Sequence, residues 1–274
     1  NLFCIPMFGS HICGYHGNTT LELCIRWTEL GAFYPFSRNN NGIGNINQDP
    51  VSLGNTMINI TKKYLNIRYS LLPYFYTIMF QASFNQQIFG TITVMVIRPL
   101  FFEFPSIPDT FTIQEQFLWG EALLFSPCLY EKSVNVRAFI PPNQRWYDFV
   151  NGTEVVNKSW VNLYTPLDHI NIHIRGGYII VLNNPNGALN TIKTRKQPYQ
   201  ILVSLSSNDL AQGNLYIDNG EITHENLNLK GVTEVTFAVA PNAINSNNIR
   251  VLQNQIIQNN YKNNYNNDRN NGYN

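Results

Sequence analysis

The chain has 274 residues, 44% of them hydrophobic and only 13% charged, with a formal net charge of +1. That is ample for a large core, and so small a charge provides no field to attract nucleic acid or an acidic membrane surface. No window reaches the ~18 uncharged apolar residues that a membrane-spanning helix needs, because the longest candidate, Ile92 to Phe104, is cut by Arg98 and Pro99.

The sequence opens at Asn1 inside an apolar run, without Met, leader or cleavage site, and so reads as a fragment that starts within a fold. Ile5 to Asn41 reads as strand, Cys-bearing loop, helix, strand and an Arg/Asn-rich turn, a βαβ order. In a parallel α/β barrel the loops after the strands carry the chemistry, so Ser10-His11-Ile12-Cys13 and Ser37-Arg38-Asn39-Asn40-Asn41 are expected at one mouth. The helix is expected over Thr19 to Leu30, capped by Asn18 or Thr19, with Glu22 in its first turn and Leu21, Cys24, Ile25 and Thr28 on one face. Gly31 ends it, and Ala32 to Phe36 is expected as a short buried strand. An Asn- and Gly-rich loop over 39–55 then leads to a long helix from about Ile58 to Phe84, with Ile60, Tyr64, Leu71, Phe75, Ile78 and Ala82 at helical spacing and a kink at Pro73.

From Thr91 the period changes to two. Val134, Val136, Ala138 and Ile140 alternate with polar positions, as do Ile170, Ile172 and Ile174, between turn signals at Pro141-Pro142, Asn151-Gly152 and Gly176-Gly177. A second β module is expected from strands at Tyr199 to Leu205, Gly213 to Ile217 and Val232 to Val239, with a hairpin at Asp218-Asn219-Gly220. The expected organisation is α/β plus all-β. Residues 1–90 form the end of a (β/α)8 barrel, 91–185 and 186–258 two antiparallel β-sandwich domains, and 259–274 a disordered Asn-rich tail.

Several collinear motifs carry a resemblance: IPMFGSHICGYHGNTTLELCIRWTELGAFYPFSRNNN from Ile5, QDP at Gln48, NIRYSLLPYFYT from Asn66, RPLFFEF from Arg98 and QFLWGEALLFSP from Gln116. RWYDFVNG from Arg145, DHINIHIRGGYII from Asp168 and the weaker LYIDNGE from Leu215 complete the run. Together they resemble the end of the catalytic barrel and the following β-domains of glycoside hydrolase family 31, in its maltase, sucrase-isomaltase and lysosomal α-glucosidase branch.

That resemblance implies retaining hydrolysis of α-glucosides by two carboxylates, both placed by the family on strands before Asn1. Among Glu22, Glu29, Asp49, Glu103, Glu115 and Glu121 no pair stands out, since helix-face and loop carboxylates are usually solvated or structural. The resemblance implies an oligosaccharide substrate, bound by Arg38, Asn40 and His11 together with the upstream part of the same catalytic domain. No cofactor is implied. Two of these positions depart from the family, which has Asp where His11 stands and His where Asn40 stands. An imidazole offers at most one acceptor nitrogen to a sugar hydroxyl, and Asn cannot carry charge. Cys4 stands where the family has Gly, and Ile92 to Met95 look like extra residues.

The family also pairs the cysteines equivalent to Cys13 and Cys24. Sequons at Asn18, Asn59, Asn151 and Asn157 agree with a secretory chain, extracellular or lysosomal, in an oxidising compartment. His11 beside His16 is too thin for a metal site, and His169 and His173, four residues apart on a strand, are ~13 Å apart and cannot share an ion. Trp119, Trp146, Tyr147 and Trp160 read first as core and only second as a sugar-stacking platform. Two functions stay open: the C-terminal portion of an α-glucosidase, or a degenerate, non-catalytic remnant acting as a structural or carbohydrate-binding module.

Overall fold

A computed structural model describes residues 5–89, 95–156, 159–185, 187, 188, 190–221, 232–240 and 250–253. Cys4, Asn157, Ile92 to Val94 and the Asn-rich tail lie outside these residues.

The first helix, α1, runs Leu21–Gly31. Its N-cap is Thr20, whose hydroxyl accepts from the Leu23 amide at 3.2 Å, and neither Asn18 nor Thr19 fills that role. Both are already engaged: the Asn18 side chain accepts from the Ile46 amide, and the Thr19 hydroxyl donates to the Thr20 carbonyl. Cys24, Ile25 and Thr28 face inward as expected, whereas Leu21 is exposed. Gly31 is small by necessity, because a Cβ there would press into the Ile12 side chain.

The two expected barrel strands are not regular strands here. Their parallel pairing is reduced to an isolated bridge, His11 to Arg38, with amide bonds from Ile12 to Arg38 and from Phe36 to Phe8. Ala32 to Phe36 is a turn, since its carbonyls are held by side chains and not by a neighbouring strand. The Arg68 guanidinium donates to Ala32, Tyr34 and Pro35, and the Trp119 indole donates to Phe33 at 2.8 Å.

The expected long helix is two helices, α2 at Asn55–Ser70 and α3 at Leu72–Phe89, meeting at Leu71. Pro73 is the second residue of α3, where a missing N–H costs little, so the proline starts a helix where a kink was expected. Ile60, Tyr64, Leu71, Phe75 and Ile78 are buried.

The β region begins with β1 (Ile97–Arg98), a short α4 (Leu100–Glu103) and a 3-10 turn at Pro108–Thr112. Strands β2 (Phe117–Trp119), β3 (Leu123–Ser126), β4 (Asn135–Ile140), β5 (Trp146–Asp148), β6 (Ser159–Tyr164), β7 (Asn171–Arg175) and β8 (Tyr178–Asn183) follow. After a short α5 (Thr191–Thr194) come β9 (Tyr199–Ser204), β10 (Ala211–Ile217), β11 (Thr233–Val239) and β12 (Arg250–Gln253). They form a sheet of order β1-β2-β3-β7-β5, a second of order β12-β11-β10-β8-β9, and the pair β4-β6. Val134 lies just outside β4 and is exposed.

One ladder departs from the antiparallel expectation: β10 runs parallel to β8. The chain leaves β9, crosses the end of β8 and returns on its other side. Gly176 and Gly177 allow that crossing. Gly177 has φ +98°, and a Cβ on Gly176 would sit 2.7 Å from the Leu205 carbonyl oxygen. The strands expected on either side of Asp218-Asn219-Gly220 do pair antiparallel, Ile217 with Thr233, so that the connection spans 218–232. A local turn does form at its start, where the Asp218 carboxylate accepts from the Gly220 amide.

The largest core cluster joins α1, α2 and α3 to the sheets: Phe33, Tyr64 and Phe75 pack with Trp119, Phe125, Ile172 and Ile174. Trp119 and Trp146 are fully buried, as the core reading required, while Trp160 is 39% exposed with its ring under the Arg137 guanidinium. Polar ties reinforce the junction. Buried Arg26 on α1 donates to the carbonyls of Ser133, Thr165 and Pro166, and the Tyr64 hydroxyl lies between the Asp168 carbonyl and the Ile170 amide. Glu29, 2% exposed, lies 3.7 Å from Arg26. Burial pushes its carboxyl up to about 8, against the opposing pull of Arg26 and Lys63 and with a further push from Asp168. The two observations conflict if the pair is read as an ion pair. Arg26 directs both terminal nitrogens at backbone carbonyls and one Glu29 oxygen has no hydrogen-bond partner, so a neutral Glu29 carboxyl fits the geometry better at neutral pH.

Candidate functional site

Three polar side chains singled out in the sequence, His11, Arg38 and Asn40, come together at the ends of the two bridged segments. The bridge places His11 beside Arg38, the Arg38 Nε donates to the Asn40 side-chain oxygen at 2.7 Å, and the His11 Nδ1 lies 3.3 Å from the Asn40 carbonyl. Arg38 is exposed, while His11 and Asn40 are half-buried. The Tyr15 ring stands edge-on to His11 at 5.1 Å and to His16 at 5.0 Å, separating the two imidazoles. Among the described residues no group of three His, Cys, Asp or Glu side chains is placed to hold a metal ion.

Two devices fix this mouth from below. Cys13 and Cys24 form a disulfide with Cα atoms 4.4 Å apart, tying the His11 loop to α1. Cys13 itself has φ +68°, a left-handed conformation uncommon for a side chain with a Cβ, and the surrounding bonds must hold it there. The second device is Gln48, 4% exposed, whose amide nitrogen lies within hydrogen-bond distance of the Ile12 and Gly14 carbonyls and the Asn39 side-chain oxygen. Asn39 returns the contact by donating to the Gln48 carbonyl at 3.0 Å. Gln48 thus ties the loop after the first segment to the loop after the second. Its own motif was visible in the sequence, but this role was not, because one Gln in an Asn-rich loop has no periodicity to mark it as buried.

The outer rim is built by backbone capture. The Tyr15 carbonyl accepts from the Gly42 amide and the Asn45 side chain, and the Asn41 side chain donates to Ile46. Asn18, Asn59 and Asn151 are exposed.

Each carboxylate considered from the sequence has a structural partner. Glu22 accepts from the Lys132 amide, Asp49 from the Val51 and Ser52 amides, and Glu103 from Arg98 and Arg175. Glu115 accepts from Tyr130, Glu121 from Tyr178, and Glu29 lies beside Arg26.

Comparison with known proteins gives the family of the chain. Residues 1–78 match the family model described as the glycosyl hydrolases family 31 TIM-barrel domain, and residues 93–180 that of the family 31 C-terminal domain. The chain is 41% identical over 237 residues to lysosomal alpha-glucosidase of Bos taurus, covering 81% of this chain and 24% of that protein. It is 40% identical over 264 residues to probable maltase-glucoamylase 2 of Homo sapiens, covering 95% of this chain and 10% of that one. Among solved structures, a Tris-bound glucosidase II alpha subunit superposes with a TM-score of 0.79 at 27% identity, over 87% of this chain and 25% of that chain.

A helix-backed polar mouth followed by β-sheets, with these relatives, places the chain in the class of glycoside hydrolases. It spans a quarter or less of the length of those three proteins. Within the class, the chain belongs to glycoside hydrolase family 31.

Proposed function

We propose that these residues form the sugar-binding side of the active site of a retaining α-glucosidase acting on maltose-like or starch-derived oligosaccharides. The observation that carries this reading is the convergence of His11, Arg38 and Asn40 on one disulfide-braced mouth in a family 31 chain. The end of a (β/α)8 barrel over 1–90, β-sandwich domains over 91–185 and 186–258, and a tail over 259–274 are part of the same reading.

The chemistry needs two carboxyl groups ~5 to 5.5 Å apart, one as nucleophile and one as general acid/base. In this reading both come from the upstream part of the same catalytic domain, as the family resemblance implies, and the partners of Glu22, Glu103 and Glu121 within the fold support it. Arg38 then stands near the acid/base carboxylate, and its guanidinium favours the ionised form of that group. Asn40 and His11 accept and donate hydrogen bonds to glucosyl hydroxyls. The protein is proposed for the secretory pathway, with glycans on Asn18, Asn59, Asn151 and Asn157; the disulfide and the exposure of the first three support that placement.

The test is glucose release from maltose or an aryl α-glucoside by purified residues 1–274. No turnover above a buffer blank is expected. Turnover abolished by mutating a carboxylate within these residues would mean that the active site has been misplaced. A second reading, a degenerate non-catalytic remnant, is favoured by one observation, the replacement of the family's Asp and His by His11 and Asn40. Hydrolysis by the full-length product would eliminate it.

A further inference from the structure

His11 and the pair Arg38 and Asn40 sit on different loops, so something must fix how far apart they stand. The two backbones meet at the His11 to Arg38 bridge, where the Ile12 amide donates to the Arg38 carbonyl at 2.8 Å. Gln48 spans the same gap from a third place in the chain. Its side-chain nitrogen is 3.2 Å from the Ile12 carbonyl and 3.0 Å from the Gly14 carbonyl, the two that bracket Cys13 at its φ of +68°. The same nitrogen is 3.0 Å from the Asn39 side-chain oxygen, while the Gln48 carbonyl accepts from the Asn39 side-chain nitrogen at 3.0 Å. Asn39 stands between Arg38 and Asn40 in the chain, so holding its amide at both ends fixes where its two neighbours project.

The residue type matters as much as the place. Two N–H groups on one nitrogen serve three surrounding oxygens, a task that Glu would reverse by adding an acceptor and that Met, of similar length, could not perform. At 4% exposure an uncharged donor also avoids the desolvation cost of a lysine. So little exposure keeps Gln48 away from any bound sugar.

We infer that Gln48 is a positioning residue, which sets the spacing of His11 against Arg38 and Asn40 without touching the sugar. This rests on the reading of the mouth as the sugar-binding side of an α-glucosidase active site. In that reading Arg38 favours the ionised form of the acid/base carboxylate, so a displaced Arg38 lets that group hold its proton to higher pH. Bond cleavage needs the proton in place, and the alkaline limb of kcat/KM then moves upward. A residue that only stabilised the fold would leave that limb where it is.

The test uses Gln48→Met and Asn39→Ala. In residues 1–274, hydrogen exchange of the Ile12 amide reports on the bridge, and that of the Cys24 amide, bonded to the Thr20 carbonyl, reports on α1. Ile12 is expected to exchange about tenfold faster in both variants, with Cys24 unchanged. In the full-length enzyme Gln48→Met is expected to lower kcat/KM on maltose ~10- to 100-fold and to move the alkaline limb upward. Asn39→Ala alters an exposed side chain and removes both of its contacts with Gln48, so it keeps the fold should Gln48→Met disturb it. Unchanged Ile12 exchange overturns the proposal, and so does faster exchange in an enzyme whose rate and pH limb stay at the parent values. A full-length parent that releases no glucose overturns the reading of the mouth and the proposal with it, and the parent alone reveals that outcome.

Discussion

Arg38 and Asn40 are bound twice over to the same local geometry: the Arg38 Nε meets the Asn40 side chain at 2.7 Å, and the Asn40 backbone faces His11. A substitution at any of the three therefore moves the other two. In a full-length enzyme with both carboxylates, His11→Asp and Asn40→His are each expected to raise kcat/KM on maltose. Each recovered hydrogen bond to a buried hydroxyl contributes ~1 to 3 kcal/mol, roughly ten- to hundredfold. Because Asn40→His also frees Arg38, the double substitution is expected to differ from the product of the single effects. Single variants at or below the parent rate would show that these positions do not limit sugar binding.

The Cys13–Cys24 disulfide links the mouth to α1 across a sequence separation of 11. Replacing both cysteines with serine should lower stability by ~2 to 4 kcal/mol, chiefly through the freedom gained by the unfolded chain. Thermal melts with and without reductant measure the loss, and peptide mapping under non-reducing conditions identifies the pair. A disulfide between Cys128 and either partner would contradict the assignment, since Cys128 is buried as a free thiol.

Glu29 makes stability depend on pH in a defined direction. Its carboxyl, ordinarily near 4.5, is raised to about 8 by burial, so the folded chain holds a proton that the unfolded chain releases. The resulting stabilisation is fully present below about 4.5 and is lost as pH rises through about 8, with a slope of up to ~1.4 kcal/mol per unit between these values. Glu29→Gln should flatten that part of the curve while keeping the shape of the side chain. Denaturant melts from pH 4.5 to 8.5 on parent and variant decide it; an equal slope in both rules Glu29 out.

Residues 1–89 are not expected to fold alone. Phe33 and Tyr64 pack with Trp119, Phe125 and Ile172, and the carbonyls that satisfy Arg26 come from residues 133, 165 and 166. Removing the sheets exposes that apolar surface and leaves a guanidinium without its partners. A monomeric, cooperatively melting 1–89 polypeptide would defeat this expectation.

The helices and alternating strands were legible from their apolar periods, which burial follows at Cys24 and Ile25 on α1 and at Val136 and Ala138 between exposed Asn135 and Arg137 on β4, whereas on β7 Asn171 and His173 are buried together with Ile172 and Ile174. The segment Ala32 to Phe36 was misread because an apolar run looks like a strand wherever its carbonyls go, and here they go to Arg68 and Trp119. Asp218-Asn219-Gly220 carries a true turn signal, and the expected strand at Val232 to Val239 is found as β11 at Thr233–Val239, paired with β10. The mouth was legible through motif order, but Gln48 was not. Its three close oxygens lie 9 to 36 positions away in sequence, beyond the reach of any short pattern.

The contact from Arg26 to the Pro166 carbonyl joins residues 140 positions apart. On a ribosome adding ~5 to 20 residues per second, α1 emerges on the order of ten seconds before the carbonyl that will hold its arginine has been made. Throughout that interval the Arg26 guanidinium lacks the Pro166 carbonyl that holds it in the finished fold. Completion of the β-sheets is thus also the event that fixes the inner face of α1.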